Sequence, residues 1–228
     1  MKPVVRIAQG ALIGAERDGL SVFRAIPYAA SPRFAPPGDP PRWTGERDAT
    51  QPGPVAPQLP SRLGPLFGDG TGRPAMSEQC QTVSVFTPDV HGKRPVLVWF
   101  HGGANVSGGG ELPVYDPSRL AAEGGIVCVA VGYRLGVFGY LHHADPSLRN
   151  LGLQDQIAAL RWVRDNISAF GGDPDNVTAA GQSAGGHAIA AMLATNESPL
   201  FARAILQSAP AAATMADDFA AGLASQFR

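Results

Sequence analysis

Cysteine is scarce in this chain, two among 228 residues, which excludes a disulfide-stapled scaffold as the source of stability. No CxxC or His-pair spacing suggests a metal site, and no motif demands another cofactor. An excess of charge of either sign is missing as well. Lys and Arg total 18 against 19 Asp and Glu, for a net charge of -1, and no basic cluster offers a face that could track phosphates, which excludes nucleic acid as a partner class. Long hydrophobic runs are also absent. None approaches the roughly 20 apolar positions of a membrane span, and Met1 to Arg6 does not lead into the apolar stretch an export signal needs. The chain therefore reads as cytoplasmic, with secretion left open if its start lies elsewhere. With 44% hydrophobic and 16% charged residues, it has apolar material enough for a globular core.

Gly181-Gln182-Ser183-Ala184-Gly185 sets a serine between glycines, after the short run Asn176 to Ala180 and before the Ala-rich stretch Ala184 to Ala194. A strand that turns abruptly into a helix brings the backbone against itself, so residues two before and two after the turn must be small. Strand-forming, turn and helix-forming composition follow in that order, as in a nucleophile elbow that exposes Ser183. The same residues also fit an ordinary glycine-rich connection in which Ser183 only caps the helix.

Upstream, the apolar run Val96 to Phe100 enters His101-Gly102-Gly103-Ala104-Asn105. Acyl transfer builds negative charge on a carbonyl oxygen, and each backbone N–H aimed at it in a dry site lowers the barrier by roughly 3 kcal/mol. Small residues let such donors approach. The expected oxyanion donors are the N–H groups of Gly103, Ala104 and Ala184. A loop that merely reverses the chain is the alternative, since Gly108-Gly109-Gly110 lies just beyond. Two motifs in this order point to a serine hydrolase.

Other blocks widen the match. Phe23-Arg24-Ala25-Ile26-Pro27-Tyr28-Ala29, Arg33 to Pro37, Trp43, Gln58, Tyr133 to Gly139, Asn150 to Gln156, Ala159 to Val163 and Phe170 to Pro174, with the two motifs, resemble the type-B carboxylesterases, the family of para-nitrobenzyl esterases and cholinesterases. The resemblance covers nearly the whole chain but only the N-terminal half of the family's length. It implies an α/β-hydrolase fold, here ending after the elbow helix and the following strand. It also implies a small-molecule carboxylic ester as substrate and an acyl-enzyme formed on Ser183, without a cofactor.

Departures from the family pattern cluster near the site. Gln182 stands where the family usually has Glu, Asn105 replaces an aromatic that often follows the oxyanion glycines, and Ser77 to Val85 carries polar residues for an expected Leu and Asn. In this fold the triad runs Ser, then Asp or Glu, then His. Only 45 residues follow Ser183; the acids among them are Glu197, Asp217 and Asp218, and the single histidine is His187. None matches the family's acid or base, so neither is identified here. His187, one helical turn after Ser183, reads as a polar side chain on the buried helix or its edge. The resemblance gives His101 a positioning role, while His91, His142 and His143 read as solvated loop residues. A serine without its base is a weak nucleophile, although an oxyanion hole and binding leave residual rate enhancement. The expectation is an ester hydrolase that is impaired or inactive as this chain. The alternative is a non-catalytic fragment or protein-interaction domain of the same fold.

The segments divide into an N-terminal small sheet over 1–25, a proline-rich irregular stretch over 27–75, and an incomplete parallel-sheet core over 83–228. Eleven of the 21 prolines fall between Pro27 and Pro65, which forbids a continuous helix or central strand there. Within it, Pro52 to Gly72 reads as either a disordered linker or an ordered wall of the site. Gln154 to Ala169 has a helical period in Ile157, Leu160, Val163 and Ile167. Asp155 and Asp173 read as structural hydrogen-bonding or capping residues. Cys128 belongs to a buried strand. Cys80 resembles a family position that is disulfide-bonded in secreted relatives, but no earlier cysteine exists. Ala202 to Gln207 reads as the next strand and Ala216 to Phe227 as a short helix. Ending there would leave a sheet edge and an apolar face open, to be covered by a second chain or by self-association.

Overall fold

The computed structural model describes residues 2–60, 75–195, 200–210 and 214–227. Its main sheet has seven strands in the order β10-β9-β7-β8-β6-β4-β3. These are β3 (Ala15–Arg17), β4 (Leu20–Pro27), β6 (Thr82–Thr87), β7 (Arg94–Phe100), β8 (Val127–Val131), β9 (Gly172–Gln182) and β10 (Arg203–Gln207). Pairing is parallel from β10 through β9 and β7 to β8. It turns antiparallel at β6 and stays so through β4 and β3. A separate three-stranded sheet joins β1 (Val4–Ile7), β2 (Gly10–Ile13) and β5 (Glu46–Asp48). The architecture is that of an α/β hydrolase, with helices laid on a mixed sheet.

Strand pairing corrects the expected small sheet over 1–25. Only β1 and β2 enter it, with β5 contributed by the proline-rich stretch, while β3 and β4 become the antiparallel arm of the main sheet. The reason is burial: Phe23 and Ile26 are wholly covered, and a strand with that much apolar surface gains most beside another buried strand. Proline keeps the rest of the 27–75 stretch out of regular structure. Residues 61–74, which include the whole second half of the Pro52 to Gly72 segment, lie outside the described residues.

Every residue of β6 and β8 is buried, as expected of central strands covered on both faces. On one face lies a core that includes Phe23, Val85, Val98, Phe100, Val129, Leu160, Val163 and Phe170. Its Phe23 and Phe170 rings meet edge to face at 5.2 Å. The other face carries a smaller cluster of Leu20, Val22, Phe86 and Cys128, capped by Ala121 of helix α1 (Ser118–Gly124). After the short helix α2 (Gly136–Tyr140) comes α3 (Leu151–Asn166), which starts three residues before the expected Gln154 and passes into a 3-10 turn at Ile167–Phe170. Gly171 stops it in the left-handed conformation, φ 75°.

One buried ion pair links these layers. Asp155 of α3 accepts from Arg134 Nε at 2.8 Å, from Arg134 Nη2 at 2.7 Å and from Gln81 Nε2 at 2.7 Å, the structural hydrogen bonding anticipated for it. Asp173 instead accepts from the Asp175 N–H and faces Lys93. Cys80 and Cys128 are free and buried, and burial pushes both thiols up to about 12. The far side of the sheet is open: all five residues of β10 are exposed, and among the described residues it pairs only with β9. The last helix, α5 (Asp217–Ala224), has no buried residue. No helix among the described residues is long and apolar enough to cross a membrane.

Candidate functional site

Ser183 stands between the end of β9 and the start of helix α4 (Ala184–Ala194), at φ 53° and ψ −117°. L-residues seldom adopt this conformation. It is fixed from both sides, because the Ser183 N–H donates to the Gln207 carbonyl at 2.8 Å and the Ser183 carbonyl accepts from the His187 N–H at 2.9 Å. A β-carbon on Gly181 would lie 2.5 Å from the Gly185 carbonyl carbon, and one on Gly185 would collide with the Phe100 carbonyl oxygen. Gly181 is therefore needed for the steric reason read from the spacing, and Gly185 because the turn rests on the end of β7. A third glycine, Gly186, abuts the β-carbon of Ala209 at 3.0 Å. A β-carbon there would stand equally close to the Gly181 carbonyl oxygen, so its crowding comes partly from the motif itself and partly from another segment.

Beyond β7, Gly103, Ala104 and Asn105 all have positive φ, at 118°, 54° and 60°. The Gly103 carbonyl accepts from the N–H groups of Val106 and Ser107, closing a tight turn. The N–H groups of Gly103 and Ala104 donate to no partner among the described residues. Ala184 opens its helix, so its N–H has no carbonyl one turn earlier to bond. These three free donors and Ser183 flank the same strand ends.

His101, at the entrance of this loop, is buried and acts on the backbone. Its Nδ1 lies 2.8 Å from the Gly102 carbonyl oxygen. Since that oxygen can only accept, Nδ1 carries the proton and the buried, unpartnered Nε2 carries the lone pair. Burial lowers the imidazole to about 4, so it is neutral across physiological pH. Gln58 holds the far end of the loop, accepting from the Gly108 N–H and donating to the Gly108 carbonyl, both at 2.7 Å.

Ser183, Gly103 and Ala104 open onto a cavity of about 1220 Å³. Its walls are mainly apolar, with Trp99, Leu112, Val114, Leu135, Val137 and Phe138 prominent, and such a lining suits a neutral organic ligand. Val55 to Pro60 supply part of the wall. To that extent the proline-rich stretch is ordered structure around the site.

Comparison with known proteins matches residues 1–226 to the model described as the carboxylesterase family. The chain belongs to the carboxylesterase family. It is 46% identical over 233 residues to the para-nitrobenzyl esterase of Bacillus subtilis (strain 168), a match that takes in 98% of this chain and 47% of that protein. It is 44% identical over 218 residues to the phenmedipham hydrolase of Pseudarthrobacter oxydans, covering 92% and 43%. A solved PNB esterase superimposes with a TM-score of 0.92 at 46% identity, covering all of this chain and 48% of the other. The chain thus spans just under half the length of these relatives.

Among the described residues, no imidazole or carboxylate is hydrogen-bonded to the Ser183 hydroxyl. His187 is half-buried on α4, and the His101 proton is committed to Gly102. Of the acids after the elbow, Asp217 pairs with Arg149 at 2.9 Å and Asp218 receives the Phe219 N–H, while Glu197 lies outside the described residues. Asn105, which departs from the family aromatic, has a buried and unpartnered Oδ1, while its carbonyl accepts from the Gly136 N–H at 2.7 Å. The Gln182 side chain packs against Gly102, where a β-carbon would collide with its Oε1. Among the described residues, no group of three or more His, Cys, Asp and Glu could hold a metal ion.

Proposed function

We propose that this chain is the nucleophile-bearing part of a carboxylic ester hydrolase. Ser183 Oγ attacks the ester carbonyl, and the N–H groups of Gly103, Ala104 and Ala184 receive the oxyanion. The tetrahedral intermediate collapses by expelling the alcohol, leaving an acyl-Ser183 ester that water hydrolyses. The observation that carries this reading is the Ser183 backbone at φ 53°, ψ −117°, held at the wall of a cavity it shares with two N–H groups that have no partner among the described residues. Strain of this kind is stored where a side chain must be presented.

The base that accepts the Ser183 proton, and the acid that orients the base, come in this proposal from beyond these 228 residues. Further chain docked along the open edge of β10 would bring them, since the Gln207 carbonyl on that edge already receives the Ser183 N–H. A second copy lying on the edge is the other occupant. The two free, buried thiols support a reducing compartment such as the cytoplasm.

A second reading, a non-catalytic domain of the same fold, is favoured by the lack of any described imidazole bonded to Ser183. A fluorophosphonate probe and a p-nitrophenyl ester separate the two. Labelling at Ser183, with slow turnover, both abolished in Ser183→Ala, is the expected result. A wild-type chain that neither labels nor turns over would sink the enzyme reading in favour of the second.

A further inference from the structure

Tyr133 lies two residues beyond β8 and is 1% exposed, and it does not line the cavity. Its hydroxyl donates to the His101 carbonyl oxygen at 2.7 Å. Its ring lies on the His101 imidazole with centroids 4.3 Å apart and planes 14° from parallel. His101 Nδ1 in turn donates to the Gly102 carbonyl oxygen, so one tyrosine fixes both the peptide and the ring that start the loop. From the other side, Gly108 closes the gap: a β-carbon there would collide with His101 Nδ1 and stand 2.6 Å from the Gly102 oxygen. Gln58 keeps Gly108 in place through its paired hydrogen bonds. The His101-Gly102 peptide is thus clamped between Tyr133 and Gly108, immediately before the N–H groups of Gly103 and Ala104.

We propose that Tyr133 is a positioning residue for ester hydrolysis, fixing the Gly103 and Ala104 N–H groups through His101. The proposal rests on the reading of this loop as the oxyanion site. Without the hydroxyl, a buried carbonyl loses its side-chain donor, and the His101 peptide can regain a partner only by rotating. Rotation there carries the next two N–H groups off the carbonyl oxygen they must meet, and such misplacements are costly in rate.

The test is Tyr133→Phe in the 228-residue chain, which keeps the stacked ring and removes only the hydroxyl. Amide hydrogen exchange over 101–108 is expected to speed up about tenfold, with β9 and α3 unchanged, and the His101 Nδ1–H resonance should shift. In fluorophosphonate labelling, the maximal inactivation rate should fall about tenfold while the concentration for half-maximal rate holds. Gly108→Ala, pressing on His101 from the opposite side, should give the same localised exchange pattern. Loop exchange within twofold of wild type, or acceleration spread evenly through the sheet, overturns the role of Tyr133. Failure of the wild type to label overturns the reading of Ser183, and the catalytic part of the proposal with it, whatever exchange shows.

Discussion

Gly185 has no room for a β-carbon, because the Phe100 carbonyl oxygen occupies that space and the His101 carbonyl oxygen would be 2.7 Å away. The first turn of the elbow helix thus rests directly on the end of β7, where the candidate oxyanion loop begins. Gly185→Ala must displace backbone rather than a flexible side chain, and overpacking of that kind costs about 1–3 kcal/mol. A chain of this size loses roughly 2–4 °C of melting temperature per kcal/mol, so a drop of about 2–12 °C is expected. Gly222→Ala is the control. It lies in helix α5 with nothing within 4 Å of its added carbon, and should stabilise by about 0.5–1 kcal/mol. Equal melting temperatures for the two variants would contradict the close approach.

Ser183 stores strain that can be measured without reference to activity. Holding an L-residue at φ 53° and ψ −117° costs about 1–3 kcal/mol. Glycine adopts that conformation freely, but its more mobile unfolded chain takes back about 0.5–1 kcal/mol. Ser183→Gly is therefore expected to exceed Ser183→Ala in stability by about 1 kcal/mol, read from urea midpoints, although both lack the hydroxyl and should fail to label. If alanine and glycine variants unfold at the same midpoint, the turn is not strained.

The reach of the sequence can be judged from the same residues. Gly181, Ser183 and Gly185 are legible because they collide with their own turn or with the strand end it packs on, and a fixed spacing encodes that. The free N–H groups of Gly103 and Ala104 follow from small residues at the end of an apolar strand in the same way. The roles of Tyr133 and Gln58 are not legible. Tyr133 meets His101 across 32 positions, and Gln58 meets Gly108 across 50. No local period records such encounters. The same limit explains why the segment of β3 and β4 reads as part of a small N-terminal sheet and not of the main one: apolar content says that a strand needs partners, while the pairing of β4 with β6 depends on the whole sheet.

His101 makes the folded chain sensitive to acid in a window set by its own titration. Burial lowers the imidazole to about 4, against 6.5 for an unperturbed histidine. Between these values the unfolded chain binds a proton that the folded chain refuses, so folding stability falls as pH drops from 6.5 toward 4 and is fully present above 6.5. At about 1.4 kcal/mol per pH unit, the contribution amounts to roughly 3 kcal/mol. Urea unfolding of wild type and His101→Phe at pH 7 and at pH 4.5 isolates it. Phenylalanine keeps a ring against Tyr133 but cannot titrate, so its baseline stability is lower while its loss on acidification is smaller than that of wild type. Carboxylates and other histidines contribute alike to both chains and cancel in the difference. Parallel pH profiles for the two proteins would mean that His101 accepts a proton without unfolding, in conflict with an Nδ1–H committed to Gly102 and a buried Nε2 that has no partner among the described residues.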